Sequence, residues 1–343
     1  MKRNFLTAIA VMVTAFFVGT TIAQAADISF SGQIRPRFEA NQQGDFTDTT
    51  DTNYSFSTRV RLNAKVNVNS DTSVFIQLQS VGVWGSTPAN TSGTRQSTGG
   101  GGNEANDQLS DVGLHQAYFT LKNFAGMPAD LKVGRQEVVL DGHRLLGNTG
   151  WTQGAETKDA IRLTHSEGNH TLAYVFIKGL ENGVATGPFA DGGTSTEDDN
   201  DVNIHVFWGN LKGGPLGGEL SGYFVIIDDN ATGSGGAVGA GAENTFYTVG
   251  ARQKGKFMGL DYRAEYYYQF GEAGGDASGA GYTSAYSQGS AFSAPIDRSA
   301  YMIGVRVGKT FSNVMWKPTL TLWYDHLSGT DADDIRRTIR HSR

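Results

Sequence analysis

The chain has 343 residues, with 46 Gly, 7 Pro, no Cys, a formal charge of -6 and a mean hydropathy of -0.32. Its length suits two ordinary soluble domains or one large barrel, and its acidic balance gives no footing for a nucleic-acid partner. Beyond the N-terminus no apolar run approaches the ~20 residues that a membrane helix needs, and without cysteine there is no disulfide framework.

At the N-terminus, Lys2 and Arg3 precede an apolar stretch from Phe5 to Val18, and Ala23-Gln24-Ala25 supplies the small residues that a signal peptidase reads. Cleavage is expected between Ala25 and Ala26, which makes 1–25 a Sec-type export signal. The stretch is short for a membrane anchor, the alternative reading, and the lack of a following cysteine excludes a lipoprotein.

From there the dominant period is two, the period of a strand. Ile28, Phe30, Ile34 and Phe38 alternate with Ser29, Ser31, Gln33, Arg35, Arg37 and Glu39. The clearest instance runs over 54–68, where Tyr54, Phe56, Val60, Leu62, Ala64, Val66 and Val68 face away from Ser57, Arg59, Arg61, Asn63, Lys65 and Asn67. Soluble strands average about 5 to 6 residues, whereas crossing a bilayer at a tilt takes about 9 to 11. Further segments are expected at 72–84, 112–122, 129–139, 157–166, 169–179, 201–212, 218–228, 244–256, 258–270, 299–311 and 314–326. About 13 amphipathic segments in a meander predict an all-β fold, an antiparallel transmembrane β-barrel, because closure removes unpaired edges from lipid.

Link lengths support this. Asn69-Ser70-Asp71, Glu167-Gly168-Asn169, Lys212-Gly213-Gly214-Pro215 and Phe257-Met258-Gly259 are tight, whereas 40–53, 85–111, 140–156, 180–200, 229–243 and 271–298 are long and mostly rich in Gly, Ser, Thr, Asn and Asp. Short periplasmic turns alternating with long extracellular loops are the habit of outer-membrane barrels. Aromatics near strand ends, among them Tyr54, Phe56, Trp84, Trp208, Tyr266, Tyr268, Phe270, Trp316 and Tyr324, suit interfacial girdles, though aromatics also favour strands in general.

Cations fall on polar faces: Arg35, Arg37, Arg59, Arg61 and Lys65 in the first two segments, then Arg162, Arg252, Lys254, Arg263 and Arg306. A guanidinium facing lipid at the midplane would cost about 2 to 4 kcal/mol, so these are expected inside. There they would favour anions or, paired with Glu39, Asp159, Asp261 and Glu265, brace the wall. Enzyme motifs are missing: no G-x-S-x-G, H-E-x-x-H or Walker A loop occurs. His115, His165, His170 and His205 show no metal-ligand spacing, and the acidic stretch 197–201 lacks the pattern of a calcium loop. Neither a metal nor another cofactor is expected.

Gly134-Arg135-Gln136-Glu137, Asp141-Gly142-His143-Arg144-Leu145-Leu146-Gly147, Trp151 and Lys158-Asp159-Ala160-Ile161-Arg162-Leu163 together resemble the alginate-export family of outer-membrane porins. Gln116-Ala117-Tyr118 and 324–331 extend the likeness. The resemblance implies an 18-stranded barrel conducting an anionic polysaccharide or another anion, with Arg135, Arg144, Asp159 and Arg162 in or near the pore. Lys158 and Glu156 depart from the family pattern, which has Phe and Arg there, so the basic interior implies a charge sign and not one sugar. The tail, Asp334 to Arg343, is basic and ends without an aromatic. With an odd strand count, this suggests that the chain lacks closing strands through truncation, a frameshift or a fragmentary gene model. The organisation expected is therefore an export signal (1–25), an incomplete barrel (26–330) and an atypical tail (331–343). Its surroundings would be outer-membrane lipid, lipopolysaccharide and the barrel-assembly machinery. The leading function is passive, anion-preferring transport; the rivals are a structural or adhesive surface protein without channel activity and, less well supported, a hydrolase.

Overall fold

A computed structural model describes residues 27–41, 53–84, 112–180, 202–229, 244–274 and 295–329. The expected export signal and basic tail lie outside them. Among the described residues no helix is long and apolar enough to cross a membrane; the regular structure is almost entirely strand. In chain order the strands are β1 (Asp27–Asn41), β2 (Asn53–Asn67), β3 (Thr72–Val83), β4 (Gly113–Leu121), β5 (Asp130–Gln136), β6 (Lys158–Glu167), β7 (His170–Leu180), β8 (Val202–Lys212), β9 (Glu219–Asp229), β10 (Asn244–Phe257), β11 (Leu260–Gly274), β12 (Pro295–Thr310) and β13 (Thr319–Leu327). All 13 join one antiparallel sheet in chain order, each strand hydrogen-bonded to its sequence neighbours.

The alternation of the sequence becomes the two faces of this sheet. On the outer face Ile28, Phe30, Ile34, Phe38, Phe56, Val60 and Leu62 are exposed, which suits contact with lipid hydrocarbon. Rings pack across strands there: Phe38 lies 4.8 Å from Phe56, and Tyr174 5.0 Å from Phe207, centroid to centroid. Trp208 departs from the girdle reading. It lies on the inner face, where its indole N–H donates to Asp141 at 2.9 Å.

Two elements differ from their expected bounds for a backbone reason. β5 stops at Gln136 because the chain then turns inward, and Gly134 within it has φ 125°. A Cβ at that glycine would sit 2.3 Å from the Ala117 carbonyl oxygen, so only glycine lets β4 and β5 pair this closely. β13 begins at Thr319, five residues later than expected, because Trp316 and Lys317 take left-handed φ values of 69° and 46° in the turn before it.

The segment 137–157, between β5 and β6, shows that the sheet curls. Laid flat, 13 strands would span about 58 Å. Yet Arg144 pairs with Asp325 of β13 at 2.9 Å, while the Gly150 carbonyl accepts from Arg35 of β1 at 2.8 Å. Six residue steps reach at most ~21 Å, and two arginine side chains cover the remainder. The first and last strands are thus drawn toward one another around this segment, which lies on the inner face.

Beneath it the inner face is apolar. Val175, Ile177 and Val206 are fully buried and meet Val138 and Leu140, with Leu145 and Leu146 packed against them. Where the segment covers them, β7 through β9 are consequently apolar on the inner face as well, at Val175, Ile177, Val206 and Val225.

Candidate pore constriction

Four polar anchors hold the segment 137–157 across the inner face. The first is Glu137, immediately after β5. A register shift between Gln77 and Leu78 leaves His115 as an extra residue in β4. This bulge buries both His115 and Gln116 on the inner side, a re-aiming that bulges commonly perform. Glu137 then lies 3.2 Å from His115 Nε2 and 3.3 Å from Arg61 Nη1, and accepts from Asn148 Nδ2 at 2.8 Å. Burial alone would raise the Glu137 carboxyl, but these hydrogen bonds and the Arg61 charge outweigh it and hold it below its ordinary value.

Asp141 is the second anchor. One oxygen accepts from Ser221 at 3.0 Å; the other accepts from Trp208 at 2.9 Å and closely from the Tyr223 hydroxyl. Arg252 Nη1 stands 3.3 Å away, a charge contact without hydrogen-bond geometry, since that nitrogen has no bonded partner. Asp141 has φ 46°, a left-handed conformation that Asp tolerates better than most residues. Gly142 follows, where a Cβ would press on Arg263 at 3.2 Å and Arg252 at 3.4 Å.

The third anchor is Arg144. It meets Glu265 at 3.3 Å and both carboxylate oxygens of Asp325 at 3.0 and 2.9 Å. Glu265, almost fully buried, also receives Arg252 at 3.0 Å and Arg263 at 3.2 Å. Three guanidinium groups therefore converge on one carboxylate.

The fourth anchor reverses the arrangement, with arginines of the wall binding carbonyls of the segment. Arg35 reaches Gln153 Oε1 at 2.8 Å and the carbonyls of Gly150 and Thr152 at 2.8 and 2.6 Å. Arg37 donates to the Trp151 carbonyl at 2.8 Å, lies 3.9 Å over its ring, and pairs closely with Glu39. Arg59 is 4 % exposed and donates to Gln33 Oε1 at 2.7 Å, leaving its buried Nε without an acceptor.

The sequence-derived positions fall into three groups. Arg35, Arg37, Arg59, Arg61, Arg252, Arg263 and Arg306 lie on the inner face together with the segment, and Arg144 reaches it from the segment itself. Lys65 and Arg162 share that face by register, facing Phe75 and Val175; Arg162 bonds Thr164 Oγ1 at 3.1 Å. Arg135 and Asp159 correct the expectation. They are register partners joined at 3.0 Å, on the face opposite Lys132, Gln136 and Arg162, the one that carries Val133 and Ile161. Near the long-loop ends of β5 and β6, each neutralises the other. Sequence reading missed His115, Gln153 and the hub role of Asp141. The first is set by a bulge and the others by long-range packing, none of which leaves a periodic signal. His165 and His170, expected to lack metal-ligand spacing, meet Glu167 at the β6–β7 turn.

Charge is uneven along the inner face. At the short-turn end a cleft of about 590 Å³ is lined by Lys212, Arg252, Lys254, Lys256, Arg263 and Arg306, against the carboxylates Glu219 and Asp261. Lys254 pairs with Glu219 at 2.9 Å and Lys256 with Asp261 at 3.3 Å, which leaves cations in excess. Arg306 stacks 4.9 Å from the Trp323 ring, and its buried Nε has no acceptor. A second cleft of about 790 Å³ lies beside the segment, between His143, Trp151, Glu156 and Lys158.

Solved structures similar to this chain include OmpT, an outer-membrane protein of Vibrio cholerae. A loop L8 deletion mutant of OmpT from Vibrio cholerae is 12 % identical with a TM-score of 0.38, covering 90 % of this chain and 95 % of that one. OccK11 (OpdR) from Pseudomonas aeruginosa is 9 % identical with a TM-score of 0.38, covering 89 % and 66 %. OmpF from Salmonella typhi, solved with daunomycin, is 10 % identical with a TM-score of 0.35, covering 91 % and 93 %. No curated protein matches the chain. The sequence profile described as Alginate export matches residues 26–342. By that match the chain belongs to the alginate-export family, a transport channel of the bacterial outer membrane.

Proposed function

We propose that the channel is anion-preferring and passive, and that it takes an anionic polysaccharide or smaller anionic solutes from the periplasmic side. The observation that carries this reading is the cation excess of the cleft at the short-turn end, the periplasmic end of an outer-membrane barrel. A cleft of one charge sign with low-dielectric walls concentrates counter-ions and speeds their arrival. Beyond it, Arg35, Arg37, Arg59 and Arg61 continue the cationic wall past the segment 137–157, with Glu39 and Glu137 as the carboxylates in contact. The arginines divide between two duties. Arg252 and Arg263 chiefly neutralise Glu265, whereas Arg306 lines the cleft with its guanidinium stacked on the Trp323 ring. Net positive charge on the cleft wall favours an arriving carboxylate over a cation.

The test is block of single-channel current in planar bilayers. An oligouronate added on the short-turn side should interrupt the current more often than a neutral oligosaccharide of equal length. Equal block by the two would contradict the proposal.

A further inference from the structure

The turn between β6 and β7 gathers three metal-ligating side chains on one face. Glu167 and His170 are register partners closing a two-residue turn, and His165 lies two positions before Glu167, so strand alternation points it the same way. Their ligand atoms all lie within 4.8 Å of one another. His165 Nε2 is 3.6 Å from a Glu167 oxygen, close to the ~3.4 Å edge of a tetrahedron built on zinc–ligand bonds of about 2.1 Å.

A second observation fixes the ring. His165 Nδ1 lies 2.5 Å from the carbonyl oxygen of Pro128, in the turn between β4 and β5. A carbonyl only accepts, so Nδ1 carries the proton and, in the neutral ring, Nε2 turns its lone pair toward the carboxylate. Two acceptors then face each other, with the His170 ring 5.5 Å from that of His165. A metal-binding histidine is commonly oriented in this way, donating its other N–H to a backbone carbonyl.

We infer that His165, Glu167 and His170 bind a divalent transition-metal ion, Zn²⁺ foremost, at the periplasmic rim of the barrel. Two imidazoles and one carboxylate are a donor set that zinc accepts, with a fourth position for water. Through Pro128 the site would couple the β6–β7 turn to the β4–β5 turn.

The test titrates the full chain, folded in detergent micelles, with Zn²⁺ against a chromophoric chelator. One ion per chain is expected, with Co²⁺ giving the visible absorption of a four-coordinate site. His165→Ala, His170→Ala and Glu167→Gln should each weaken binding by more than about 10-fold, the scale set by loss of even an outer partner. His205→Ala, whose ring bonds Tyr174 instead, should leave it unchanged. Folding is monitored by gel mobility with and without heating. If the alanine variants do not fold, Glu167→Gln decides, since its side chain is exposed and its shape is kept. Zn²⁺ bound by Glu167→Gln as tightly as by the unaltered chain, or no binding by the unaltered chain, overturns the assignment.

Discussion

Replacing Asp141 with Asn tests whether the inward segment is a docked constriction. Asn adopts φ near 46° at least as readily as Asp, so the backbone is spared and only the charge and one acceptor change. Asp141 and Arg252 are each about 6 % exposed, so they form a buried pair. Removing one member of such a pair typically costs about 3 to 5 kcal/mol. The new amide N–H₂ would also face the donors Trp208 and Tyr223, while its retained oxygen limits the loss. We therefore take the lower end, about 3 kcal/mol, which lowers the ratio of docked to undocked segment about 150-fold. The apolar floor at Val175, Ile177 and Val206, with the anchors at Glu137 and Arg35, still holds the ends. Single-channel recording of Asp141→Asn should show a larger mean conductance and a noisier open state than the unaltered channel. A folded variant with unaltered conductance and a quiet open state would refute the docking argument.

Gly134→Ala should lower the folded fraction seen by gel mobility, because its Cβ would meet the Ala117 carbonyl at 2.3 Å and φ 125° strains any side chain. Lys254→Glu with Lys256→Glu, the first half-buried and the second exposed, should shift the reversal potential toward cation preference with little change in folding. The Glu137 carboxyl is held below its ordinary value, so the stability it contributes is present above about pH 4.3 and is lost as pH falls through the lowered value. Channel noise should therefore rise on acidification in that range, and Glu137→Gln should show the noise at neutral pH and abolish its pH dependence.

The fold was legible because lipid outside and water inside impose a period of two. β2 was expected at 54–68 and occupies Asn53–Asn67, and the alternation of short and long links placed every strand in order. Legibility failed where a third layer intrudes. β7 reads as a nearly continuous apolar run because its inner face is covered by Leu140, Leu145 and Leu146, a contact that no local pattern announces. Arg135 was carried to the pore by family position, and Asp159 both by family position and as an acidic partner of the cations, yet strand parity counted from Gln136 puts them on the opposite face. His115 turned inward through a bulge, which resets parity without marking the sequence. The histidine pair at the β6–β7 turn was readable in principle, as a His-x-Glu followed by a two-residue turn and a His, once the turn is taken as a hairpin.

The cation excess of the inner face should give the channel an anionic preference. The most direct measurement is the zero-current potential of the reconstituted channel in a potassium chloride gradient, where the two ions have nearly equal mobility. A potential of the sign set by chloride permeation is predicted, shrinking as ionic strength screens the wall charges. A potential of the sign set by potassium would contradict it.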